Sequence, residues 1–208
     1  MRIDAAGVPF IGGALALALL SGAAVAWVLA LPFVVLGAFF LFFFRDPARA
    51  VSAQEDEVLS PADGRVLVAG AAEATATPEG AWQQISIFLS PMDVHVNRVP
   101  VTGRITRVSY QPGKFLPAYH RDAASANERS EIWIDHDGQL VVARQIVGIL
   151  ARRVVCRATT GAEVRAGDRY GIMKFGSRMD IFLPLSATLR VSVGDVVRGG
   201  QTVIAVLH

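Results

Sequence analysis

Four short segments of this chain bring together residue types that can do chemistry. The first, Leu89-Ser-Pro-Met-Asp93-Val-His95-Val-Asn97-Arg98-Val-Pro100, puts a carboxylate, an imidazole, an amide and a guanidinium into six residues at the end of an apolar run. If the segment is extended, Asp93, His95 and Asn97 share one face. An imidazole flanked at i−2 and i+2 by polar side chains is a candidate general base. The second, Lys174-Phe-Gly176-Ser177-Arg178-Met-Asp180, offers a hydroxyl after a glycine. The third, Ser60-Pro61-Ala62-Asp63-Gly64, is a turn that carries a carboxylate, and the fourth joins Tyr119-His120-Arg121-Asp122 to Asn127-Glu128-Arg129. Each has an ordinary structural reading when taken alone: a turn, a solvated loop, a buried histidine.

The elements that must position these residues read as β structure. Short Val- and Ile-rich runs at Arg65–Ala69, Gln84–Leu89, Gly103–Tyr110, Glu131–Asp135, Leu140–Ile149, Ile181–Leu183, Thr188–Val193 and Thr202–Leu207 are punctuated by Gly, Pro and Asp. Asp137-Gly138 between two such runs predicts a hairpin. Val164-Arg-Ala-Gly167-Asp168 is echoed by Val191-Ser-Val-Gly194-Asp195. The echo is similar to the turns of biotinyl/lipoyl-type barrels, but neither turn carries the lysine of a swinging arm. Ala118–Glu128 is expected to hold a short helix or a mobile loop. The fold class is therefore mainly β, a compact β-barrel or sandwich with lipoyl-like hairpin elements, preceded by an α-helical membrane hairpin.

The hairpin follows from composition. The chain has 208 residues and 52% hydrophobic content, yet Ala5 to Phe44 contains no Asp, Glu, Lys or Arg. Within it, the thirty-seven residues Val8–Phe44 are far more than one span of about 20 residues and slightly short of two. It is also too long for a signal peptide, and it ends in phenylalanines rather than small residues. A turn near Ser21-Gly22 would make a hairpin. The other arrangement is a helix broken at Pro32, followed by a short re-entrant helix. In the hairpin, Arg2 and the Arg45/Arg49 pair end on the same side, and the positive-inside bias makes that side cytoplasmic. Arg45 and Arg49 are expected at head-group level. Residues 1–49 thus read as a membrane anchor and 50–208 as the β domain.

Other classes are excluded or disfavoured. A formal net charge of +2 is too even for a nucleic-acid binder. The single Cys156 rules out an internal disulfide, and the four histidines have no zinc-ligand spacing. No metal is expected.

Taken in order, PADG, SPMDVHVNR, NER and FGSR, behind an apolar N-terminus, resemble the phosphatidylserine decarboxylase family, in its short bacterial and archaeal form. The resemblance spans essentially the whole chain. It implies a proenzyme that cuts itself at Gly176–Ser177 into a β chain (1–176) and an α chain (177–208) that stay together as a heterodimer. Ser177 would become a pyruvoyl group, the only cofactor. The Ser177 hydroxyl would attack the Gly176 carbonyl, the resulting ester would eliminate, and hydrolysis would leave a ketone. That ketone would form a Schiff base with phosphatidylserine and act as an electron sink, as pyridoxal phosphate does elsewhere. The products would be phosphatidylethanolamine and carbon dioxide.

The resemblance also assigns roles. Asp63 would orient the processing histidine. His95 matches the first histidine of a D-x-H-x-x-H pattern found in longer members, whereas the second position here is Arg98. Either His95 serves both processing and decarboxylation, the reading favoured here, or His120 supplies a second base. Arg98 could bind the substrate carboxylate or phosphate, with Arg129 and Arg178 as further candidates. The expected partner is phosphatidylserine at the cytoplasmic face of the cell membrane, and no nucleic acid. Apolar hairpins and strand edges leave a homo-oligomer open. The alternatives are a non-enzymatic, membrane-tethered lipoyl-like module and the same chemistry on an archaeal-type ether lipid.

Overall fold

The computed structural model describes residues 2–24, 26–72, 77–120, 122–149 and 153–208. Arg121, from the fourth segment, lies outside them. The chain divides into two compact units, residues 1–48 and 49–208.

The first unit is a helical hairpin. Strand β1 (Arg2–Ile3) leads to helix α1 (Val8–Ala24), helix α2 (Leu31–Phe43) returns, and β2 (Arg45–Asp46) follows. β1 pairs antiparallel with β2, so both ends of the hairpin meet. Phe10 packs on Phe40 and Phe44, with ring centroids 5.4 and 5.5 Å apart. The expected turn at Ser21-Gly22 is corrected: α1 runs through both residues to Ala24. Within the helix the Ser21 hydroxyl is satisfied by donating back to the carbonyl of Leu17 at 2.7 Å. Gly22 instead allows close approach, since a Cβ there would lie 3.3 Å from that of Ala30. Pro32 does not break a helix; it lies in the first turn of α2, where a missing N–H costs nothing. Ala5–Ala24 is long and apolar enough to cross a membrane, and Trp27–Phe43 is a shorter apolar helix.

The second unit is mainly β. Its strands are β3 (Glu57–Leu59), β4 (Gly64–Ala71), β5 (Gln83–Leu89), β6 (Val96–Arg98), β7 (Gly103–Gln111), β8 (Arg129–His136), β9 (Gln139–Val147), β10 (Val154–Cys156), β11 (Glu163–Val164), β12 (Arg169–Met173), β13 (Ser177–Leu183), β14 (Thr188–Leu189), β15 (Val196–Val197) and β16 (Val203–Val206). A short helix, α3 (Ala123–Ala126), precedes β8. Eight strands form one antiparallel sheet in the order β11-β7-β8-β9-β13-β5-β4-β15, and two three-stranded sheets, β10-β12-β6 and β14-β16-β3, accompany it. The large sheet has two edges, β11 and β15, so it is open and no closed barrel forms among the described residues.

Sequence chemistry accounts for the turns. Asp137 and Gly138 both take positive φ, 51° and 84°, and join β8 to β9 as a tight hairpin. The two echoed turns are the same device. Gly167 and Gly194 adopt φ of 85° and 99°. Asp168 Oδ2 accepts from the Arg165 amide at 2.9 Å, and Asp195 Oδ2 from the Ser192 amide at 2.8 Å.

The core lies on one face of the large sheet. Ile85, Ile87 and Leu89 of β5, Met179, Ile181 and Leu183 of β13, and Ile132 and Ile134 of β8 pack with residues of the smaller sheets, among them Val58, Met173 and Ile204. β13 is central, paired with β9 on one side and β5 on the other. Only its apolar end, Ile181–Leu183, is legible from hydropathy. The strand begins four residues earlier, at Ser177, and every residue of it is buried.

Candidate active site

The Gly176–Ser177 peptide bond sits where β13 begins. The two residues before Ser177 both lie in the left-handed region, Phe175 at φ 68° and Gly176 at φ 75°. Glycine accepts this freely, but a bulky non-glycine residue does so at a cost of about 1–3 kcal/mol, and such strain clusters at functional sites. The last residue of β9, Val147, is paired with Ser177, and Gly148 follows it. A Cβ on Gly148 would lie 2.5 Å from the Gly176 carbonyl oxygen, so only glycine permits this approach.

His95 stands against the same bond. It is fully buried just ahead of β6. The Gly176 amide donates to its Nε2 at 3.3 Å, and its Nδ1 lies 3.0 Å from the Asp93 carbonyl. A carbonyl can only accept, so Nδ1 carries the proton and Nε2 presents a lone pair. The imidazole is thus neutral, oriented and basic at the nitrogen that faces the Gly176 amide. Asp93 supports the turn, with its Oδ2 accepting from the Ser90 amide at 2.8 Å. Ser177 Oγ is buried and has no hydrogen-bond partner.

The other sequence-predicted residues have contacts of their own. Asp63 pairs with Arg49, Arg49 Nη1–Oδ1 at 2.5 Å and Nη2–Oδ2 at 2.7 Å, and also accepts from the Gly199 amide at 2.8 Å. Arg49 further donates to the Gly199 carbonyl at 2.6 Å. The expectation that Arg49 sits at head-group level is corrected: its side chain is 8% exposed, because a bidentate carboxylate and a carbonyl satisfy the guanidinium inside the β unit. Asp63 therefore meets an arginine, and His95 is braced by a backbone carbonyl. Arg98 is buried and donates to the Gly167 carbonyl at 2.9 Å. Arg178 projects from the opposite face of β13 to Ser177, donating to Asp180 at 2.6 Å and Ser86 at 2.9 Å. Arg129 holds the end of α3 through the Ser125 carbonyl at 2.6 Å, and also reaches Gln111. Burial, then the charge of Arg144, pulls its pKa below the ordinary arginine value, with Glu131 opposing. His120 is exposed and faces Asp122 at 3.7 Å. A hydrogen bond joins His95 to Gly176, the residue before Ser177, while the contacts described above for Asp63, His120 and the three arginines run to other partners.

Two features escape sequence reading. An apolar pocket of about 350 Å³ opens beside Gly176, walled by Phe88, Pro91, Pro117, Tyr119, Ile149 and Phe175. Asn127 fixes one wall. Its Oδ1 accepts from the Leu116 amide, and its Nδ2 donates to the carbonyls of Leu116 and Val147, each within 2.9 Å. The NER motif could have signalled this through its asparagine, which suits a loop whose backbone needs both a donor and an acceptor. A larger pocket of about 690 Å³ is lined by Arg104, Asp135 and Glu163 among others and holds none of the predicted site residues. No cluster of metal-ligating side chains occurs among the described residues.

Comparison with known proteins identifies the family. A family model described as phosphatidylserine decarboxylase matches residues 36–205. A phosphatidylserine decarboxylase proenzyme from Nitrosomonas europaea is 43% identical over 203 residues, covering 97% of this chain and 94% of the relative. One from Ralstonia pickettii is 44% identical over 204 residues, covering 97% and 94%. Another from Prosthecochloris aestuarii is 44% identical over 167 residues, covering 80% and 76%. With so much of its length matched, this chain belongs to the phosphatidylserine decarboxylase family.

Proposed function

We propose that this protein converts phosphatidylserine to phosphatidylethanolamine and carbon dioxide, after cutting itself at Gly176–Ser177 and turning Ser177 into a pyruvoyl group. The observation that carries the reading is the Gly176 amide held on Nε2 of His95, at a bond preceded by two left-handed residues. The nucleophile is the Ser177 hydroxyl, and its attack on the Gly176 carbonyl exchanges an amide for an ester. His95 takes the hydroxyl proton, as the base does for other serine nucleophiles. Release of the left-handed strain at Phe175 favours the forward step.

The surroundings fit the group that Ser177 would become. Its buried side chain lies on the core face, walled from water, with one basic nitrogen nearby. The ketone supplies an electron sink for the decarboxylation. The apolar pocket beside Gly176 receives the lipid side of the substrate, and His95 is placed to return a proton. The α chain is expected to remain with the β chain as a heterodimer. The apolar hairpin of residues 1–49 holds the enzyme at the membrane. The pairing of β1 with β2 brings Arg2 and Arg45 to one side of that hairpin, which supports a cytoplasmic location for it.

An intact mass spectrum of the protein purified in detergent tests the reading. Two masses are expected, with the 177–208 fragment lighter than its serine form by one ammonia. A single uncut mass from a preparation that turns over phosphatidylserine would overturn the proposal.

A further inference from the structure

Buried polar atoms without partners are rare, and each calls for a reason. Five occur among the described residues: Asn97 Nδ2, Gln139 Oε1, Gln145 Oε1, Ser177 Oγ and Asp180 Oδ2. Three of the five gather in one place. Residues opposed across a strand pair point to the same face. Gln145 of β9 is opposite Met179 of β13, and Val147 is opposite Ser177, so Gln145 and Ser177 share the core face one step apart. Such diagonal neighbours have Cβ atoms roughly 7 Å apart. Gln145 Nε2 donates to Asn97 Oδ1 at 2.8 Å. Asn97 in turn follows His95 by two residues. Asn97, Gln145, Ser177 and His95 are all fully buried. Gly171 makes room for the amide pair, since a Cβ there would lie 2.7 Å from Gln145 Nε2.

The pair therefore offers the unused NH2 group of Asn97 and the unused C=O of Gln145 on the face that Ser177 shares. Exchanging O and N in both amides moves each function to the other residue but leaves the same sum. A donor group and an acceptor on two hydrogen-bonded amides suit a water molecule, which accepts from an amide N–H and donates to an amide oxygen.

We infer that the Asn97–Gln145 pair is a water site whose occupant becomes the ketone oxygen at position 177. This rests on the function proposed above. Elimination of the ester leaves an N-terminal dehydroalanine, whose imine tautomer carries a methyl group, Cα=NH and the chain carbonyl. The held water adds through oxygen to Cα, and a proton passes to nitrogen by way of His95 Nε2. The carbinolamine then collapses: the C–N bond breaks, ammonia leaves, and C=O remains. One water enters and one ammonia departs, with no oxidant or reductant. The fixed amides deliver water to a site that the core otherwise keeps dry.

The test is the double substitution Asn97→Leu with Gln145→Met in the full chain. Replacing both partners by apolar groups of similar shape leaves no orphan, so folding is expected to survive. Gln145→Met alone, which keeps the Asn97 donor, is the second variant. After purification, borohydride is added before denaturation, and the N-terminal peptide of the α chain is read by mass. A ketone is reduced to a lactyl end and a trapped imine to an alanyl end. Wild type is expected to give lactyl. The double variant is expected to be cut at Gly176–Ser177 as before, with the lactyl share at least about tenfold lower and alanyl in its place; the single variant should fall between. A lactyl share equal to wild type in either variant overturns the water site while leaving the proposed function intact. Folded variants that remain uncut also overturn it, because the pair would then act in chain cleavage. An uncut wild type would instead remove the function on which the inference rests.

Discussion

The amide of Gly176 donates to Nε2 of His95 across 3.3 Å, although 81 residues separate them in the chain. That contact fixes which imidazole nitrogen carries the proton and points the basic one at the bond that precedes Ser177. Removing this base is expected to slow chain cleavage by about 10²–10⁴-fold, the usual worth of a positioned general base. His95→Ala should stay a single chain on a gel over hours, while His120→Ala, altered at an exposed loop residue, should cut at the wild-type rate. Normal cutting of His95→Ala would transfer the base role to another group.

The pairing of Asp63 with Arg49 makes a second claim. The pair is largely buried, at 15% and 8% exposure, so breaking it by removing one partner leaves an uncompensated charge. A loss of about 3–5 kcal/mol is expected. Arg49→Ala should therefore lower the melting temperature about as much as Asp63→Ala, and the double variant should lose less than the sum. The Pro61 carbonyl, two residues before Asp63, accepts from the Arg98 amide at 2.8 Å, so the loop also holds the end of the strand that follows His95. Both variants should consequently cut more slowly than wild type. Normal stability of Arg49→Ala would show that Asp63 acts without its arginine.

Gly148→Ala tests the close approach at the scissile carbonyl. Its methyl group would meet the Gly176 oxygen at 2.5 Å, well inside contact distance. The carbonyl must move, and a misplacement of this kind can cost about a hundredfold in rate. Cleavage followed by gel densitometry should slow by that order, with the β fold retained by circular dichroism.

The cut chains should not separate. Ser177–Leu183 is hydrogen-bonded on both sides, to β9 and β5, and Val203–Val206 pairs with Glu57–Leu59. Cleaved protein should therefore elute from a sizing column as one species containing both fragments and divide only in denaturant.

Tyr170 gives an alkaline signature. Burial raises its pKa well above the ordinary 10.0, with the nearby Cys156 adding in the same direction. The folded state then holds the phenolic proton more tightly than the unfolded state does. This contribution is complete below the unfolded value near 10.0 and is lost progressively as pH rises beyond it. Tyr170→Phe should melt within about 1 kcal/mol of wild type at pH 7 and lose less stability above pH 10. Parallel pH profiles for the two proteins would contradict the burial of an ionisable phenol.

The sequence alone settles what depends on neighbouring residues. The apolar stretch to Phe44, the Asp137-Gly138 hairpin and the twin Gly-Asp turns are local, because turn chemistry and hydropathy act over a few residues. The ordered motifs likewise point to the right family without any coordinates. Strand β13 is only half legible, since Arg178 and Asp180 are charged, and their burial depends on each other and on Ser86 from another strand. Asp63 meets Arg49 and His95 meets Gly176 because a sheet order with strand β13 at its centre sets distant segments side by side. Long-range pairing is chosen by the packing of the whole core, so no short window of sequence could assign the carboxylate to an arginine or the imidazole to a glycine amide.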